Sequence, residues 1–221
     1  MLQPFTVKFL KDLKKNNNKP WFEAHRKEYE AAKIDFAAFI QTIIDKHSKS
    51  DPTIKSIVAK DCMFRINRDV RFSKDKSPYK TNMGAYISRG GKKSVFAGYY
   101  FHCEPGQCFV GGGLWMPMPP ELNKVRQEID YNLNAFKKII TSKKFKAVYK
   151  DLSNDLEYVL SRVPKGYEPT NPAAEFLKKK SFVSMAPLKD SDLTSKDLVK
   201  KTTTAFEALQ PLLDFINEAL R

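Results

Sequence analysis

Apolar residues recur along this chain with two different periods. Val7, Leu10 and Leu13 share one side of a helix that Thr6 is placed to cap and that ends at about Lys15. Asn16-Asn17-Asn18 stops it. Asn18 then caps a second helix with Pro20 in its first turn, where a missing N–H costs little. Phe22, Tyr29, Phe36 and Ile43 repeat every seven residues, with Ala32 and Phe39 between them, which predicts a helix to about Lys46. The period then changes. Cys62, Phe64, Ile66, Val70 and Phe72 alternate with polar residues, as do Met83, Ala85 and Ile87, and then Val95, Ala97, Tyr99, Phe101 and Cys103. Glu104-Pro105-Gly106-Gln107 reads as a turn into a fourth strand at Phe109 and Val110, which ends at Gly111-Gly112-Gly113.

Helical spacing returns after Pro119-Pro120, through Leu122, Val125, Ile129, Leu133, Phe136 and Ile140. Leu156–Leu160 reads as a short strand, Asn171-Pro172 as the start of a brief helix to about Lys180, and Phe182–Ala186 as an edge strand. Thr194 is placed to cap a last helix with Leu198, Phe206, Leu209, Leu213, Ile216 and Leu220 on its stripe, kinked or split at Pro211. The expected fold class is therefore α+β. A mostly antiparallel meander stands at the centre, and helices from both chain ends pack on one face, in a single domain spanning residues 1–221.

Charge sharpens this picture. The 221 residues carry 39 Lys/Arg against 25 Asp/Glu, a formal net charge of +14. Residues 65–93 hold nine of the cations against Asp69 and Asp75 only, so half of the excess sits in one stretch. An anionic or neutral partner is favoured over a cationic one. Lys8, Lys11, Lys14 and Lys15 interrupt any leader-like apolar run, no apolar stretch approaches the length of a membrane span, and three cysteines do not make a disulfide scaffold. A cytoplasmic, non-membrane protein is expected.

The densest chemistry lies in Arg65–Lys80. In a strand, Phe64, Ile66, Val70 and Phe72 would share one face and Arg65, Asn67, Asp69 and Arg71 the other, leaving Arg68 on the apolar side. Arg68 is then either paired internally or re-aimed outward by a bulge. Guanidinium forks match carboxylate and phosphate oxygens two at a time, so Arg65, Arg68 and Arg71, oriented by Asp69, form a candidate anion site. The other reading is a fold-stabilising Arg–Asp network. On the neighbouring hairpin, Tyr100, His102 and Glu104 share a face. If that face meets the arginines, Tyr100 joins the ligand site and His102 is the candidate general acid/base. His102, Cys103 and Cys108 lack metal-ligand spacing, so no metal is expected, and no cofactor is indicated. The triple glycine lacks phosphate-loop spacing and reads as close backbone packing or as a ligand approach.

The motif Arg65-x-x-Arg68-Asp69-x-Arg71-Phe72-x-x-x-Lys76-x-Pro78-Tyr79 resembles the signature of a bacterial and fungal family of conserved hypothetical proteins, a domain of unknown function. Further matches are Asn17, Trp21-Phe22, Gly98-Tyr99-Tyr100, Gly111-Gly112-Gly113-x-Trp115, Arg126, Pro164-Lys165-Gly166 and Pro172. The resemblance implies a single full-length domain. It adds Lys76 and Tyr79 to the ligand-site candidates and carries over no activity. A small phosphate- or carboxylate-bearing ligand is the leading expectation. A structural or interaction domain is one alternative. A nucleic-acid binder is another, in which bases stack on aromatics over a basic sheet.

Overall fold

The computed structural model describes residues 1–221, the side chain of Leu156 excepted. Helix α1 (Pro4–Lys15) begins on Gln3, not on Thr6. Thr6 is buried within the helix and donates its hydroxyl to Asp35 Oδ2 (2.6 Å), because that carboxylate on the next long helix also accepts the Gln3 N–H. Asn18 does cap α2 (Lys19–Ala24), its Oδ1 accepting the Trp21 N–H at 3.0 Å. The helix expected from there to Lys46 is broken at His25, which ends α2 and precedes α3 (Arg26–His47). There His25 stacks on Trp21 at 4.0 Å, and its Nδ1 lies 2.8 Å from the Trp21 carbonyl. A single turn of helix, α4 (Ala59–Cys62), follows.

The sheet has four antiparallel strands in chain order: β1 (Met83–Ile87), β2 (Gly98–Cys103), β3 (Phe109–Leu114) and β4 (Phe182–Pro187). Its first expected member is absent as a strand. Residues 62–72 form β pairs only through isolated bridges, Met63 to Ala85 and Asn67 to Tyr79. Arg68 donates its N–H to Pro78 and Lys80 to Ile66, which closes residues 68–78 into a loop. Only part of the apolar alternation there is buried: Cys62 and Ile66 reach the core, but Phe72 is 95% exposed and Phe64 43%. Nothing repays extending that ladder.

Conversely, β3 runs straight through Gly111-Gly112-Gly113 and pairs with β4 on its far side. A Cβ at Gly113 would overlap the Phe182 carbonyl, and one at Gly112 the Gly98 carbonyl. Both also hold positive φ (126° and 151°), a region that side chains rarely adopt. The glycines serve strand approach.

Between β3 and β4 lie α5 (Pro119–Tyr131), α6 (Leu133–Ile140), α7 (Lys143–Tyr149) and α8 (Ala174–Leu177). The helix expected across 122–140 divides at Asn132. The strand expected at 156–160 is a 3₁₀ turn (Leu156–Tyr158) followed by one bridge, Val159 to Lys179. Thr194 ends the short α9 (Asp190–Leu193) rather than starting the last helix, α10 (Leu198–Ala219). Pro211 does not divide α10. Leu209, Leu212, Leu213 and Ile216 are buried on both sides of it, and that packing outweighs the roughly 3 kcal/mol an interior proline costs.

Helices α3 and α10 cover one face of the sheet. Phe36 and Phe39 meet Phe101, and Phe206 stacks on Tyr99 with centroids 4.6 Å apart. The opposite face carries Tyr86, Tyr100, His102 and Phe109, all half-buried, and the exposed Met185. No helix is long and apolar enough to cross a membrane.

Candidate functional site

Three cations of the Arg68–Lys80 stretch, Arg68, Arg71 and Lys76, turn to their own loop. Arg68 Nη1 donates to Asp75 Oδ2 (2.5 Å) and to the Ser77 carbonyl (3.0 Å), and Nη2 to Ser73 Oγ (3.3 Å). Of the two placements expected for Arg68, internal pairing is therefore the one found. The Ser77 hydroxyl and N–H, with Arg68, hold the Asp75 carboxyl down at about 2. Arg71 grips Asp69 two-pronged, at 2.9 and 2.7 Å, which depresses that carboxyl as well. Lys76 Nζ donates to the Val70 carbonyl. Tyr79 is buried against Phe22, with its backbone N–H and C=O both bonded to the Asn17 amide. Asp69 thus orients Arg71 alone, and Tyr79 packs the loop onto the N-terminal helices.

Arg65 is placed differently. It lines a cleft of about 440 Å³ between α3, the 60–66 segment and the start of β1. Phe36, Ile66 and Met83 form part of an apolar floor, and Lys33, Lys60, Arg65 and Lys92 stand on the rim. Glu30, the one acidic residue lining it, is 3.3 Å from Lys33. Among the described residues, Lys60 and Arg65 have no carboxylate within 4.0 Å. Lys92 is oriented by the Lys60 and Asp61 carbonyls. Just outside, Lys80 lies over the Phe64 ring, and burial together with Arg65 lowers its pKa. Like charges gathered at one cleft repel one another, and an anion placed among them would relieve that repulsion.

On the open face of the sheet, alternation does bring Tyr100, His102 and Glu104 together. His102 Nε2 faces Glu104 Oε2 (3.3 Å), while Nδ1 faces the Tyr100 hydroxyl (3.1 Å) and the Asn82 amide nitrogen (3.3 Å). The Asn82 NH2 can only donate and the Glu104 carboxylate can only accept, which assigns Nδ1 as the acceptor and the proton to Nε2, pointing at Glu104. Burial lowers the His102 pKa and outweighs the opposing pull of Glu104. Burial also pushes the Tyr100 phenol up to about 12, aided by Glu104. Burial alone would raise Glu104, but the Thr81 hydroxyl, His102 and Lys14 outweigh it and leave that carboxyl depressed. Tyr100 reaches across β1 because residue 84 is glycine; a Cβ there would overlap the phenol oxygen.

The arginines expected beside this face do not reach it as a group. Among the described residues, Arg68, Asp69, Arg71 and Lys76 line neither the cleft nor the histidine network. Asn82 and Phe64 connect the two places: both line the cleft, Asn82 approaches His102, and Phe64 meets the Tyr100 ring edge-on at 6.2 Å. Lys33, Lys60 and Asn82 went unmarked by sequence reasoning, and Lys92 was seen only as one cation of the basic 65–93 stretch. They are far apart in the chain and none lies in a motif.

A family model described as Conserved hypothetical protein (DUF2461) matches residues 5–215. The chain belongs to this family. No curated protein and no solved structure matches it. The span shared with DUF2461 runs from the first turn of α1 into α10, and so takes in the braced loop, the cationic cleft and the Tyr100–His102–Glu104 network.

Proposed function

We propose that the cleft binds a small anion, a phosphate or carboxylate, carrying an apolar or aromatic body. The observation that carries this reading is the arrangement of Lys33, Lys60, Arg65 and Lys92 around an apolar floor with Glu30 as the sole opposing charge. Arg65 is the natural seat for the oxyanion, since its fork is unspent and accepts two oxygens at once. The body of the ligand lies against Ile34 and Phe64, the exposed apolar side chains that line the cleft. The His102 network, reached through Asn82, supplies further hydrogen-bonding groups at the same edge of the sheet.

Calorimetric titration with phenyl phosphate, inorganic phosphate and benzyl alcohol tests this. Phenyl phosphate should bind more tightly than either fragment, and Arg65→Ala should weaken it about tenfold or more. Arg71→Ala, on the separate loop, should leave it unchanged. Failure of phenyl phosphate to bind, or equal binding to wild type and Arg65→Ala, would remove the proposal.

The braced Arg68–Asp75 contact supports a second reading for the motif itself. There the motif stabilises a loop, and the cleft draws on Arg65 alone.

A further inference from the structure

The loop spanning residues 68–77 presents a puzzle that the cleft does not absorb. It is cross-linked by Arg68 to Asp75, Ser73 and Ser77, by Asp69 to Arg71, and by Lys76 to the Val70 carbonyl. That is heavy bracing for a segment with little buried apolar surface. What it holds up is Phe72, at 95% the most exposed large apolar side chain among the described residues. The Arg71 guanidinium lies 5.7 Å from the ring centroid, and the exposed Lys74 follows two residues later.

We propose that this loop is a preformed finger for single-stranded nucleic acid, in which a base stacks on Phe72 while Lys74 and the surrounding cations take the flanking phosphates. Three features favour this partner. Every base has a π-face, so a lone projecting ring over a cationic loop is a sequence-tolerant platform. The charge matches: residues 65–93 carry nine cations against two carboxylates, in a chain of net charge +14. The bracing matters too, since a loop already ordered does not lose conformational freedom when it binds. A lone ring gives a membrane surface too little apolar area to anchor on. An acidic protein segment has the right charge but no general use for a flat stacking face.

The test is fluorescence anisotropy with a labelled oligothymidylate of about 20 nucleotides, titrated across salt concentrations. The logarithm of the affinity should fall linearly with the logarithm of the salt concentration. Phe72→Ala should weaken binding at least about fivefold at fixed salt, and Phe72→Trp should retain it. Because Phe72 is 95% exposed and, among the described residues, its ring meets only the exposed Arg71 guanidinium, the alanine variant should fold as the wild type does. Lys74→Ala should reduce the salt slope by about one. Arg68→Ala should weaken binding although Arg68 touches no ligand, through loss of the brace. Phe72→Ala should leave phenyl phosphate binding at the cleft unchanged, so this proposal and the cleft reading fail separately. Three outcomes would overturn it: no oligonucleotide binding at low salt, equal binding by wild type and Phe72→Ala, or Phe72-dependent binding to anionic vesicles or an acidic peptide without binding to the oligonucleotide.

Discussion

Tyr79 lies flat on Phe22, with ring centroids 3.9 Å apart and planes 16° from parallel. This one stack joins the end of the basic loop to α2, and the Asn17 amide reinforces it with one bond to each side of the Tyr79 peptide. Tyr79→Ala should therefore destabilise the protein by about 3–5 kcal/mol, the range for losing a buried ring. Asn17→Ala should cost about 1–2 kcal/mol by stranding the Tyr79 backbone groups. Urea unfolding of the two variants measures both. Near-zero changes would mean the loop is not anchored there.

His47 provides a pH signature. Its ring is buried between Tyr99 and Phe206, and neither nitrogen has a hydrogen-bond partner among the described residues. Burial lowers its pKa, against weaker upward pulls from Asp51 and Glu207. The unfolded chain thus takes up this proton first as pH falls. The contribution of His47 to stability is complete above about 6.5, the ordinary histidine value, and is lost progressively as pH drops below it. Urea midpoints should fall across that range, and His47→Leu should make the fall shallower, with the similarly depressed His102 supplying the remainder.

The glycines of β3 should differ sharply from the turn glycine before it. Gly113→Ala drives a methyl into the β4 backbone at a positive φ, and a loss of at least about 3 kcal/mol, or failure to fold, is expected. Gly106 also has positive φ, but a Cβ there meets nothing within 4 Å. Gly106→Ala should cost only about 1 kcal/mol, the backbone penalty alone. Thermal unfolding distinguishes the pair, and equal effects would contradict the close approach of β3 to β4.

Glu104 raises the His102 pKa through both its hydrogen bond and its charge. Glu104→Gln removes the charge and keeps the shape, so His102 should titrate at still lower pH. Nitrogen chemical shifts of the ring report this directly. They should also show the proton on Nε2 near neutrality; a proton on Nδ1 would refute the network as drawn.

Much of the architecture could be read in the chain before the coordinates. The Asn18 cap, the alternation of Met83, Ala85 and Ile87, the β2 strand and the edge strand from Phe182 were all legible, because each is set by local chemistry or by a period. The strand expected at 62–72 failed for a physical reason. Alternation identifies an apolar face but not whether anything covers it, and Phe64 and Phe72 are left uncovered. The histidine network was legible as three same-face residues at a spacing of two. The cleft was legible only at Arg65. Its other cations come from α3, from α4 and from the segment after β1, and tertiary packing alone assembles them. In the arginine motif, pattern left internal pairing and outward aim of Arg68 both open, and only the folded loop shows that Asp75 and the Ser77 carbonyl take up its fork.

The pairing of β3 with β4 has a consequence for how a newly made chain matures. All of α5 to α8 must be synthesised before β4 exists, so β3 waits with one row of amides and carbonyls open. Its central Gly111-Gly112-Gly113 carries no side chain to shield that row or to reject a stranger. Any extended segment that arrives early finds a bare template. Biogenesis of this protein therefore turns on how quickly its own last strand arrives, and slowed translation of the β3–β4 interval should shift product from native chain to aggregate.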